Sequence, residues 1–171
     1  MIYSIVKYGE PVLEHPAETV TNFNTPELNQ LLDDMFESMY AAKGVGLAAP
    51  QIGVAKRIAV VDLSVGDDPS QKIILINPEI IHREGSQQGE EGCLSLPGFR
   101  EQVARPFRVT VRAQDAHGET FEKVGEELLA RAFSHEIDHL NGRLYITHVS
   151  ALKRDLIRRK VRKLVKAGEW E

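Results

Sequence analysis

Apolar positions along this chain follow two rhythms. Leu28, Leu31, Leu32, Met35 and Met39 recur at the spacing of one helix face. Thr25 can cap that helix, with Pro26 at its first position, and Gly44 can end it. Arg57–Leu63 and Ile73–Ile76 are short apolar runs of strand type. Phe107–Ala113 alternates apolar and polar side chains, as a half-buried strand does. Asp115-Ala116-His117-Gly118 predicts a turn, with Thr120–Val124 returning as the second arm of a hairpin. A second helix is expected from near Gly125 to near Asn141-Gly142, and a third from about Ser150 to Lys166. There is no internal repeat and no low-complexity linker. Strands grouped before and between helices, rather than alternating with them, predict an α+β domain.

Composition narrows the class without naming a function. The 171 residues suit a single domain, 1–171, with a real hydrophobic core. Hydrophobic residues at 42% and charged residues at 27% are ordinary for a soluble globular chain. The net charge of -4 gives no reason to expect DNA binding. No apolar run reaches about 18 residues, so no membrane span is expected. Met1–Lys7 lacks a basic region followed by a long apolar stretch, so it does not read as a signal peptide. Cys93 is the one cysteine, which excludes an intramolecular disulfide and fits a reducing, cytoplasmic setting.

The chemistry concentrates in His135-Glu136-Ile137-Asp138-His139. Residues four apart on a helix share a face, so His135 and His139 can aim two imidazoles at one metal ion. Glu136 stands beside the first of them, where it can reach a water on that metal. This is the helical His-Glu-x-x-His pattern of metal-dependent hydrolases. A third ligand is needed. Downstream, His148 and Asp155 are the nearest candidates, at no familiar spacing. Upstream, Cys93 offers a thiolate, a good ligand for zinc or ferrous iron, although a free cysteine also packs as a small buried hydrophobe. A third segment, Gly44-Val45-Gly46-Leu47-Ala48-Ala49-Pro50-Gln51, is dominated by small residues. Its Gln51 amide could donate to an oxyanion, or the stretch could be a plain loop ending a helix.

Taken in order, Gly44–Gln51, Glu91-Gly92-Cys93-Leu94-Ser95 and His135–Gly142 closely resemble the peptide deformylases. The resemblance runs from Tyr3–Glu14 to the helix after Gly142. It implies a small domain of mostly antiparallel strands around a central helix carrying His-Glu-x-x-His, plus a C-terminal helix. It implies a cytosolic enzyme that removes the formyl group from the N-terminal methionine of new peptides and releases formate. Cys93, His135 and His139 would then hold one divalent metal per chain. The resemblance favours Fe2+, with Zn2+, Ni2+ or Co2+ as substitutes. Water activated by that metal would be the nucleophile, with Glu136 as general acid and base. The Gln51 side chain and the Leu94 backbone N–H would stabilise the charge that builds on the formyl oxygen.

The same resemblance suggests a methionine slot bordered by Val45, Glu91, Leu128, Arg131 and Ala132. Gly46 and neighbouring backbone would pair with the extended peptide. Arg131 would cover apolar surface with its stem and reach solvent with its head. Asp138, paired with a cation such as Arg105, would support the site, and Ser95 would hydrogen-bond near the Cys93 loop. Residues 150–171 form a basic helix and tail. A narrow apolar stripe of Leu156, Ile157, Val161, Leu164 and Val165 fits either a solvated helix or transient docking on ribosomal RNA. Two other classes stay open on residues alone: a zinc endopeptidase, and a non-catalytic metal-stabilised binding protein tethered to the ribosome. His15, His82, His117 and His148 carry no pattern, and Trp170 either packs on the domain or hangs free.

Overall fold

The computed structural model of this chain describes residues 1–170. Its first helix, α1, spans Pro26–Ala41, and the Thr25 hydroxyl accepts the Leu28 N–H at 3.1 Å. The left-handed residue that follows is Lys43, at φ +58°, one position before the expected Gly44. Gly44 is small for another reason: a Cβ there would lie 2.9 Å from Leu94 Cδ1.

The strands are β1 Gly46–Ala48, β2 Ile58–Val61, β3 Ile73–Glu84, β4 Gln87–Cys93, β5 Leu96–Arg105, β6 Arg108–Gln114 and β7 Thr120–Glu126. Five of them form an antiparallel sheet in the order β1-β2-β3-β6-β7, and β4 with β5 makes a separate two-stranded hairpin. Two more helices follow, α2 at Leu128–Leu140 and α3 at Ala151–Lys166.

Helices cover both faces of the five-stranded sheet. Ile58 and Val60 of β2 pack towards α1, against a cluster that holds Leu32, Met35 and Met39. Ala59 and Val61, the alternate residues, pack towards Ala130, Phe133, Ile137 and Leu140 of α2. Burial on both faces explains why β2 reads as a continuous apolar run. The other side of α2 meets the β4–β5 hairpin, so α2 lies between two layers of strand. Arg57 donates to the Leu140 carbonyl at 2.8 Å and to Asn141 Oδ1 at 3.0 Å, placing a cation at the C-terminal end of α2.

Three expectations need correction. The apolar start Ile73–Ile76 is only the first part of β3, which continues to Glu84 through irregular register with β6. The second helix begins at Leu128, not near Gly125. Gly125 stays in β7, where a Cβ would meet Leu129 Cγ and Phe133 Cε2 at 2.9 Å, and Glu127 reverses the chain at φ +53°. The β4–β5 hairpin was not expected at all, because Gln87–Gly92 has neither apolar alternation nor β-branched residues. In α3, Ser150 caps the first turn as its position suggested, accepting Lys153 N–H at 3.2 Å. Its apolar stripe is narrower than expected: Ile157 and Val161 are buried, while Leu156 and Val165 are exposed. Among the described residues no helix is long and apolar enough to cross a membrane.

Candidate metal centre

The α2 helix turns its Ala130, Phe133 and Ile137 face into the sheet, which leaves His135 and His139 towards the hairpin and Glu136 against Gly46 of β1. Cys93 ends β4 at a break in the β4–β5 register. Its Sγ lies 3.3 Å from His139 Nε2, and the two imidazole Nε2 atoms are 3.2 Å apart. One donor atom from each of the three residues falls within 4.8 Å of the others. Tetrahedral ligands on a metal at ~2.0–2.3 Å are separated by roughly these distances.

The surroundings prepare those donors. Burial opposes ionisation of Cys93, but His139 and His135 outweigh it and bring the thiol down to about 5. The ligand form, thiolate, is therefore accessible near neutrality. His135 Nδ1 lies 2.8 Å from Glu91 Oε1. Burial would raise the Glu91 pKa, yet Arg105 and then His135 hold it well below the usual carboxylate range. An ionised Glu91 accepts from Nδ1–H, which leaves Nε2 as the free lone pair. Glu136 is itself buried, and burial raises its pKa. Its Oε1 has no protein partner among the described residues, and Oε2 lies 2.5 Å from where a Gly46 Cβ would be. Gly46 is thus required by the approach of this carboxylate.

A short 3-10 turn at Ala49–Ile52 supplies Gln51. Its Oε1 accepts the Ala48 N–H at 2.9 Å, which orients the amide. Nε2 then donates to Ser95 Oγ at 3.2 Å and lies 3.6 Å from Cys93 Sγ. A cleft of about 500 Å³ opens beside the cluster. Its walls include Val45, Leu94 and Phe99, with Ala132, His135 and Glu136 at the inner end.

Comparison with known proteins gives this geometry its context. The family model described as polypeptide deformylase matches residues 2–155. The chain is 66% identical to the peptide deformylase of Acidobacterium capsulatum over 99% of both chains. The crystal structure of a peptide deformylase from Legionella pneumophila superposes with a TM-score of 0.90 at 43% identity, covering 100% of this chain and 99% of that one. The crystal structure of the peptide deformylase from Thermus thermophilus gives a TM-score of 0.87 at 42% identity, covering 96% of each chain. The chain belongs to the polypeptide deformylase family.

Deformylases are metal-dependent hydrolases of protein biosynthesis that act on formylated nascent peptides. Against that background, most of the residues expected at the site converge on it. Val45, Gly46, Gln51, Glu91, Cys93, Leu94, Leu128, Arg131, Ala132, His135 and Glu136 all border the cleft. The Asp138–Arg105 pair is present at 2.7 Å. Ser95 does hydrogen-bond beside the Cys93 loop, through Gln51 and through its carbonyl, which accepts Tyr8 N–H at 2.7 Å.

Arg131 is placed differently from the expectation. Its head does not reach solvent. It is buried and donates to Glu91 Oε2 at 2.6 Å and to the Val103 carbonyl at 3.1 Å. Glu91 is correspondingly a hub rather than a simple wall, since its two oxygens serve Arg105, Arg131 and His135. Leu128, expected to border the slot, lines the cleft and is 53% exposed. His148, weighed as a downstream ligand and then set aside, is not in the donor cluster, and its Nε2 lies 2.8 Å from Asp138 Oδ2. Tyr145 was missed: its ring stacks on His135 at 6.2 Å between centroids. Neither residue has a sequence spacing that could have flagged it.

Proposed function

We propose that Cys93, His135 and His139 bind the metal of this deformylase and that Glu136 handles the protons of formyl removal. The observation that carries this is the convergence of the three donors within 4.8 Å, with the Glu136 carboxylate beside them in the cleft. A divalent metal bound there supplies a Lewis acid that polarises the formyl carbonyl and lowers the pKa of water towards ~7. The family resemblance favours ferrous iron as the native ion, with Zn2+, Ni2+ or Co2+ as substitutes, since a thiolate with two imidazoles suits all of them.

The side chains account for the remaining work. Glu91 holds the His135 ring by its Nδ1–H. Glu136 accepts a proton from the attacking water on a carboxylate oxygen and returns it to the amine nitrogen as the C–N bond breaks. Burial, which raises its pKa, suits a group that must both take and give that proton. Gln51 Nε2 and the Leu94 N–H donate to the formyl oxygen as it gains negative charge. Val45, Leu128, Ala132 and the Arg131 stem border the methionine slot, and Gly46 backbone pairs with the extended peptide. Asp138, Arg105 and Ser95 hold the surrounding groups in place.

The whole of 1–171 works as one catalytic domain in the cytoplasm. Within the basic segment 150–171, the exposed face of α3 makes a transient contact with ribosomal RNA. Loss of salt-dependent ribosome binding on truncation after Ser150 tests that contact. Formate release from formyl-Met-Ala-Ser, beside the acetylated peptide, tests the enzymatic reading. Protein loaded with ferrous iron under anaerobic conditions should cleave only the formyl peptide. No release from protein with stoichiometric iron would overturn the reading.

A further inference from the structure

Trp170 lies beyond the family match, yet it touches a wall of the cleft. Its indole Nε1–H donates to the Tyr8 carbonyl at 2.9 Å. Its ring meets Phe99 edge-on, with centroids 6.2 Å apart and planes at 69°. Phe99 is half-buried and borders the cleft. It belongs to β5, in the two-stranded hairpin. A lone hairpin has little stability of its own, so its pose depends on what packs against it. Here α2 and the turn Tyr145–His148 pack on the hairpin, and at Phe99 the C-terminal segment adds to that packing. Phe99 and Trp170 both pack against the cluster of Leu96, Val103, Ile157 and Val161. Arg158 of α3 adds a hydrogen bond to the Tyr8 hydroxyl at 3.0 Å, so Tyr8 links α3, Trp170 and the Ser95 carbonyl.

The cleft runs from a buried end at Ala132 and Glu136 to an exposed rim at Lys43 and Arg100. A peptide whose formyl carbon sits by Glu136 can run out along the Phe99 wall towards that rim. We propose that Trp170 is a positioning residue: it holds Phe99 as the wall that grips the peptide residues following methionine. The inference rests on the deformylase reading and deepens it.

Trp170 is the chain's one tryptophan, so its fluorescence reports the contact directly. Titration with Met-Ala-Ser, the deformylated product, should change the emission saturably, while methioninamide should not. Phe99→Ala should abolish that response. In turnover, Trp170→Ala should raise KM for formyl-Met-Ala-Ser by about three- to tenfold, the scale of a lost aromatic pair, with kcat unchanged. KM for formyl-methioninamide should not move, and Trp170→Phe should recover most of the loss.

An equal KM change for both substrates, or a fall in kcat alone, would reduce Trp170 to a structural prop and overturn the proposal. If Trp170→Ala does not fold, Phe99→Ala still decides, because an unaltered tripeptide KM in that variant is equally fatal. These failures leave wild-type formate release intact, whereas failure of the deformylase reading abolishes it.

Discussion

Glu91 Oε1 receives the Nδ1–H of His135 at 2.8 Å while Glu91 Oε2 is held by two arginines. One carboxylate therefore fixes the ring of a metal-ligand candidate and, together with Asp138, balances Arg105 and Arg131 in the interior. Its ionised state is what makes both roles compatible.

Replacing Glu91 by Gln should be costly on two readouts. Buried Arg131 loses its counter-charge and Arg105 keeps Asp138 alone, which should destabilise the fold by about 3–5 kcal/mol. His135 loses its anionic acceptor, which should weaken metal affinity by about 10- to 100-fold. Urea denaturation and metal titration would measure the two separately. Unchanged metal affinity in folded Glu91→Gln would remove Glu91 from the site.

Glu136→Ala should keep a full equivalent of metal and lose about 10²–10⁴ in kcat, the usual scale for a general acid and base. Metal analysis and formate release on one sample check this. Near-normal turnover by metal-replete mutant protein would end the role given to Glu136.

Gly46→Ala tests how closely the carboxylate is seated. The new Cβ would sit 2.5 Å from Glu136 Oε2, so the carboxylate must move. A displacement of about 1 Å at a reacting group costs about 10² in rate. We expect a folded protein with that loss in kcat, measured at saturating formyl peptide.

The pH dependence of stability should carry a signature of Asp62, whose carboxylate is held by Ser64, Tyr40 and Gly66 rather than by any metal-ligand candidate. Burial alone would raise its pKa, but hydrogen bonds from Ser64, Tyr40 and Gly66 hold it below the usual aspartate value. A lowered folded pKa favours folding above the unfolded value of about 3.9, and that contribution fades as pH falls through the folded value. Asp62→Asn should therefore cost about 1–3 kcal/mol near neutral pH. The difference from wild type should shrink in strong acid. Urea midpoints at about pH 7 and about pH 3 test the sign. A gap that widens in acid would contradict it.

Removing the metal should lower the thermal midpoint, because an ion that binds only the folded chain stabilises it by mass action. Chelation followed by differential scanning calorimetry measures the drop. Restoration by ferrous or zinc ions should return it. A midpoint indifferent to metal would mean the three donors do not bind one tightly.

Local rules explain what the residues alone could determine here. Thr25-Pro26 and Ser150 mark helix starts because capping needs only a hydroxyl and the next turn of backbone. His135 and His139 share a face because helix geometry alone places i and i+4 together. Cys93 and Gln51 could be raised as candidates from their own chemistry, but only a resemblance in motif order joined them to the helix, since no local rule links positions 42 residues apart. Tertiary structure decided the rest. Gln87–Gly92 becomes a strand only because β5 pairs with it, and its alternation of glutamine, glutamate and glycine gives no hydrophobic period to read. Arg131 is interior because Glu91 is there to neutralise it, a long-range charge pairing that its helical neighbours cannot announce. Tyr145, His148 and Trp170 gain their places from packing across the chain, and packing has no period in sequence.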